Sequence, residues 1–200
     1  MPIPLFLLGA AVISAVAASE LKEHQKNADK ERKLNPNKSI RDEFDLHSSG
    51  IAKYPSEAFD SKHFAKIKPG ALVCCGLGGM LDHTGILVDK DTIVELHGSG
   101  LIKAISPQRF LKERSGNEIF VACDANGNAL TNDLIAQRAM KQIFNYQEYD
   151  LIKNNCHRFA WQCISGTNAE LTTFHQLNKM FSKYFKQKIY WDKWQFDTRY

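Results

Sequence analysis

What this 200-residue chain lacks narrows its chemistry before any motif is considered. It has no Cys-x-x-Cys pair, although Cys156 and Cys163 stand seven apart. Cys156 with His157 does not make a tetrahedral ligand set, and no second cluster has metal spacing, so neither zinc nor another metal is expected. The cysteines (Cys74, Cys75, Cys123, Cys156 and Cys163) are odd in number, which argues against a disulfide framework and for a reducing compartment. Repeats and low-complexity tracts are missing. Single-sign charge is scarce: 26 basic against 22 acidic side chains leave a formal +4. No nucleic-acid recognition motif accompanies that mild excess, so nucleic-acid binding is not expected. Nothing in the chain calls for a cofactor.

What is present fits one sizeable domain with extensions, long enough to bury a core without staples. Residues 1–19 carry no charged side chain and are almost wholly apolar. As a helix they would span about 28 Å, close to the thickness of a bilayer's hydrocarbon core. They read as a membrane anchor, as a secretory signal ending in small residues such as Ala15-Val16-Ala17, or as a buried or peripheral helix. Seven basic residues follow between Lys22 and Arg41, interleaved with Glu20, Glu23, Asp29 and Glu31. The basic residues would keep an anchored chain's domain in the cytoplasm, whereas a cleaved signal would make it secreted or periplasmic. Residues 20–60 form a polar stalk, broken at Asn35-Pro36-Asn37 and mostly loop beyond it.

The domain proper spans 61–168. Lys68-Pro69-Gly70 is a turn, and Ala71–Cys75 an apolar strand in which Cys74 and Cys75 act as small hydrophobes. Gly76, Gly78 and Gly79 mark a connection. His83–Val88 and Thr92–His97 form an antiparallel hairpin around Asp89-Lys90-Asp91. Leu101–Ile105 and Glu118–Ala122 read as strands, and Pro107–Leu111 as a short helix after Ser106. Apolar spacing predicts helices over 132–146, Cys156–Ile164 with Gly166 as stop, and Leu171–Lys186. Residues 169–200 are a helical, aromatic and basic extension. Its Trp191 and Trp194 either cover the core or lie at a membrane interface. The fold class is α+β: a small antiparallel sheet packed with helices.

Two residues carry the chemistry. His83 opens the first hairpin strand, and Cys156 stands in Asn154-Asn155-Cys156-His157-Arg158-Phe159 at the start of a helix. A thiol needs its thiolate to act as a nucleophile. An imidazole partner and a helix N-terminus both favour that form. Asn154 or Asn155 could cap the helix, and the turn's N–H groups could hold an oxyanion. Glu95 and His97 share one face of the second hairpin strand, so either could orient His83 as the third member of the set. Taken singly, each has a plainer reading: Cys156 as a small core residue, His83 as a strand polar group, Glu95 and His97 as surface side chains. His157 and Arg158 read as solvent-facing helix residues.

The run His83-Thr-Gly-Ile-Leu-Val, a turn, then Ile93-Val-Glu-Leu resembles the hairpin of the lecithin:retinol acyltransferase-like family. Tyr149-Asp-Leu-Ile-Lys-Asn-Asn-Cys-His-Arg-Phe-Ala is similar to that family's Asn-Cys-x-x-Phe box, and Lys68-Pro-Gly resembles the turn before its first strand. The resemblance covers roughly residues 64–166. It implies a permuted papain-like (NlpC/P60-type) fold, in which histidine precedes cysteine, and acyl transfer through a thioester on Cys156 with His83 as base. Several members carry histidine where an ungapped match places Glu95. His97 would take that role only in a hairpin two residues longer, so Glu95 is favoured. Another departure is His157-Arg158, where many relatives have Glu-His. Many relatives also anchor at the C-terminus, whereas the apolar segment here is N-terminal.

Three functions follow. The first is a thiol acyltransferase or hydrolase acting on lipid acyl esters or another acyl-bearing small substrate at a membrane surface. The second is a peptidase or amidase of the same fold. The third is a catalytically silent membrane-anchored binding module, which a Cys156 that is buried or far from His83 would favour. Oligomeric state is not legible in the sequence.

Overall fold

The computed structural model describes residues 52–53, 64–77, 81–112, 114 and 118–196. The expected anchor or signal at 1–19 and nearly all of the stalk lie outside the described residues. The strands are β1 (Ala52–Lys53), β2 (Leu72–Leu77), β3 (Leu81–Asp89), β4 (Thr92–Leu96), β5 (Ile102–Ile105), β6 (Phe120–Cys123) and β7 (Ile189–Lys193). The helices are α1 (Pro107–Leu111), α2 (Asp133–Lys141), α3 (Cys156–Ser165) and α4 (Phe174–Phe185). The strands form one sheet in the order β1-β7-β6-β2-β3-β4-β5, antiparallel except for the β1–β7 pair.

β2 is central and buried on both faces, which is why it reads as a continuous apolar run rather than an alternating one. Leu72 and Cys74 enter the core beneath the helices with Phe159, Ile164, Leu177 and Phe181. Ala71, Val73 and Cys75 enter a second core on the other face with Phe110, Val121 and Trp194. Local chemistry starts and stops the helices. Ser106 caps α1 with Pro107 in its first turn, and Asn132 caps α2 by accepting from Leu134 N–H. Thr173 and Gln176 form a capping box on α4. α3 ends at Gly166 (φ 77°), in the left-handed region that suits glycine. The Arg138 guanidinium from α2 donates to the Cys163 and Ile164 carbonyls, placing a cation on the negative end of α3.

One sequence expectation is corrected and one pair of alternatives is decided. The helix expected over 132–146 stops at Lys141, because tertiary hydrogen bonds capture the chain beyond it. Phe144 turns into the left-handed region (φ 69°), its N–H donates to Ile102 O, and Ile102 N–H donates to Asn145 O. The aromatic tail is not free to lie on a membrane. Residues 189–193 form β7 against β6, and Tyr190, Trp191 and Trp194 are buried. The Trp191 indole N–H donates to Asn178 Oδ1 at 3.0 Å, fixing the strand to α4.

One irregularity positions the site. The β3–β4 ladder runs through Asp89–Thr92, Leu87–Ile93 and Ile86–Val94. Beyond that rung β3 pairs with β2 along 81–86, and β4 pairs with β5 through Glu95 and Leu96. His83 and Glu95 therefore stand where the two strands part. Gly85 sits at the fork, where an added Cβ would meet Ile93 Cγ2 at 2.6 Å, so a side chain there would force the strands further apart. α3 packs against both β3 and β4.

Candidate active site

Cys156 is the first residue of α3, and Asn155 is the cap. The Asn155 side-chain oxygen accepts from His157 N–H and Arg158 N–H, both at 3.1 Å. Its amide nitrogen donates to Leu151 O at 2.9 Å and Thr172 O at 2.8 Å. All four bonds are structural. The side-chain amide of Asn155 is therefore committed to holding the helix start and does not face an oxyanion. Asn154 likewise closes the preceding loop, with its amide on Glu148 O and its backbone paired with Asp150. Both asparagines support the thiol's position.

His83 is buried, with its ring 5.2 Å from that of Phe110. Its Nε2 lies 2.7 Å from Glu95 Oε2. A carboxylate only accepts, so Nε2 carries the hydrogen and Nδ1 is the nitrogen left for the thiol, to which His83 is also hydrogen-bonded. Arg114 donates from Nη2 to the same carboxylate oxygen at 2.8 Å and from Nη1 to Phe110 O, while its guanidinium lies over the Phe110 ring. His97 does not share this network. It lies past the end of β4, half-buried, and its Nδ1 pairs with Ser99 Oγ at 2.8 Å. Of the two sequence alternatives for orienting His83, the hydrogen bond is made by Glu95, the one the sequence favoured, and His97 lies in the turn beyond. The turn after Leu96 leaves the strand, so the parity that would align His97 with Glu95 no longer holds.

The charges follow from this geometry. Burial alone would push the Cys156 thiol up. The imidazoles of His157 and His83, by charge and by hydrogen bonding, overcome that and hold it well below a free thiol's range. Burial would lower His83, but Cys156 and Glu95 together raise it to about 9. Burial would raise Glu95, and its bonds to His83 with the charges of His83 and Arg114 hold it below the ordinary carboxylate value. The other cysteines behave oppositely. Burial raises Cys75 and Cys163 to about 12 and carries Cys74 well up as well. Cys156 is as buried as they are, at 4% exposure, yet shifted the other way.

Three neighbours went unassigned or were misread in the sequence. The hydroxyl of Tyr149 is hydrogen-bonded to both the side chain and the backbone of Cys156, and burial with that thiol's charge raises its pKa. Its sequence signal was its place at the head of the stretch that resembles the family's cysteine box, where it was given no role. His157 is buried rather than solvent-facing. Its Nδ1 lies 3.1 Å from Thr84 Oγ1 and 3.8 Å from Cys156 Sγ, and its ring packs on Phe174. Arg158 is partly buried, with Nε donating to Ala169 O at 2.7 Å. Among the described residues no group of three or more His, Cys, Asp or Glu could hold a metal ion, and no helix is long and apolar enough to cross a membrane.

Fold and site together define a class of α+β domains in which a cysteine at a helix N-terminus meets a histidine and a carboxylate from a strand hairpin. A family model, Lecithin retinol acyltransferase, matches residues 65–169. The chain belongs to that family, which points to an acyltransferase or hydrolase of that superfamily acting on lipid or acyl substrates. No curated protein matches the chain.

Proposed function

We propose that this protein is a cysteine-dependent acyltransferase or hydrolase that takes the acyl group of a lipid ester onto Cys156 as a thioester. The observation that carries the reading is a thiol at a helix start beside two imidazoles, one of them backed by a carboxylate at 2.7 Å. Cys156 Sγ attacks the ester carbonyl carbon, and the carbonyl π pair moves onto oxygen. In this reading the Tyr149 hydroxyl, paired with Cys156, is the donor to that oxygen. As the tetrahedral adduct collapses, the bond to the leaving alkoxide breaks and protonated His83 gives it a proton, releasing an alcohol. His83, now neutral, takes a proton from the acceptor, whose oxygen or nitrogen then attacks the thioester. Water completes hydrolysis, whereas a hydroxyl or amine completes transfer.

In this reading the fold is a permuted papain-like one, since His83 and Glu95 precede Cys156 in the chain. Residues 1–19 hold the domain at a membrane, on its cytoplasmic side. Exposed Leu101, Phe144 and Tyr146, on paired segments near the Tyr149 loop, favour a lipid over a peptide as acyl donor.

The burial of Cys156 favours a second reading, a catalytically silent module. The two are separated by incubating the full chain with a fluorescent-acyl phospholipid and with a peptide ester, wild type beside Cys156→Ala. Acyl label trapped on wild type alone, with lipid preferred, supports the enzyme. Wild type that neither traps nor turns over any ester establishes the module.

A further inference from the structure

The nucleophile has more around it than one base requires. His83 and Thr84 are consecutive residues of β3, so their side chains leave the strand on opposite faces. His83 pairs with Glu95 on one face, and Thr84 Oγ1 pairs with His157 Nδ1 on the other at 3.1 Å. The same Nδ1 lies 3.8 Å from Cys156 Sγ, within reach of a sulfur hydrogen bond, so a hydrogen on Nδ1 is shared between the Thr84 hydroxyl oxygen and the sulfur. The His157 ring is held in place by Thr84 and by the Phe174 ring at 5.6 Å between centroids, and it is 7% exposed. The charged and titratable groups facing it are Asp82 on β3 and Cys156 on its own helix, with His83 across the sulfur.

We propose that His157 is a second imidazole on the Cys156 sulfur, whose Nδ1–H stabilises the thiolate from the flank opposite His83. The proposal deepens the acyl-transfer reading above and rests on it. Its use falls in the second half of the reaction. The acceptor O–H or N–H bond breaks and its proton passes to His83, the acceptor atom bonds to the carbonyl carbon, and the C–S electron pair returns to sulfur. His83 is then occupied by the acceptor's proton, and His157 Nδ1–H is the donor still facing the departing thiolate. A thiolate leaves faster when its charge is met by such a donor.

The test is the pH profile of iodoacetamide alkylation at Cys156 in the full chain, read by mass spectrometry, for wild type, His157→Asn, His157→Gln and His157→Phe. Asparagine places a hydrogen-bonding nitrogen near the position of Nδ1, and glutamine places one near Nε2. Wild type is expected to alkylate well below pH 8. The Gln and Phe variants should move the midpoint up by about one unit, roughly tenfold slower labelling at pH 6, with Asn recovering most of it. A folded Gln or Phe variant whose profile superposes on that of wild type overturns the role of His157, and a wild type that still turns over acyl esters then leaves the acyl-transfer reading standing. If the midpoint moves as expected but no ester is turned over, His157 keeps its place on the sulfur and the acyl-transfer reading fails. Should the Phe variant not fold, the Asn–Gln contrast alone decides.

Discussion

His83 Nε2 and Glu95 Oε2 are 2.7 Å apart, both nearly fully buried, at the point where β3 and β4 separate. Arg114 holds the same carboxylate oxygen at 2.8 Å. The carboxylate thus fixes which imidazole nitrogen faces the thiol and keeps His83 protonated. Glu95→Gln preserves the shape but can present an N–H where an acceptor is needed. Acyl-transfer kcat should fall by about 10²-fold with little change in KM, and the His83 imidazole resonances should titrate at lower pH by NMR. An unchanged kcat in a folded Gln variant would remove Glu95 from the mechanism.

Tyr149 tests the oxyanion assignment. Tyr149→Phe keeps the ring and removes the hydroxyl that reaches Cys156. Single-turnover acylation should slow by about 10²-fold while alkylation of the thiol at pH 7 is retained. Equal loss in both assays would show that the hydroxyl serves only to position the thiol.

Asn155 is expected to matter for stability more than for chemistry. Asn155→Ala forfeits a helix cap and two further partly buried bonds, at a cost of about 3 kcal/mol. Asn155→Asp retains the acceptor for His157 and Arg158 N–H but loses both donations, to Leu151 O and Thr172 O. Urea denaturation should rank wild type above Asp and Asp above Ala. An Ala variant as stable as wild type would contradict the assignment.

The thiol and imidazole also make a definite statement about pH. The folded pKa of Cys156 lies below its ordinary 9.0, so its contribution to stability is present above 9.0 and lost as pH falls through the folded value. The folded pKa of His83 is raised from 6.5 to about 9, so its contribution is present below 6.5 and lost as pH rises through about 9. Between those limits folded and unfolded chains each hold one proton on the pair, and the two slopes cancel. The stability difference between wild type and Cys156→Ala/His83→Asn should therefore be level from pH 6.5 to about 9 and shrink below 6.5. Turnover should decline above about pH 9, as His83 loses the proton it gives the leaving group. A difference that climbs steeply inside the window would mean that the thiol and imidazole are not paired.

Much of this was legible in the chain because the signals are local. The β3–β4 hairpin and its turn, the proline-started α1, the α3 start after Asn155 and its glycine stop all rest on residues within a few positions of one another. The thiol, its imidazole and its carboxylate were legible as types in a familiar order. The choice between Glu95 and His97 was not, because it depends on where β4 ends and turns. Nor was the burial of His157, since Thr84 and Phe174, 73 residues before it and 17 after, close over it only when α3 lies on the sheet. The aromatic tail was ambiguous for the same reason: a strand that pairs with β6 some seventy residues earlier carries no local mark of its partner. The sequence by itself determined which groups could react and which segments could be helix or strand, through short-range periodicity and capping. Only the tertiary structure decided which nitrogen meets the sulfur, because burial and the parting of two strands are properties of contacts distant along the chain.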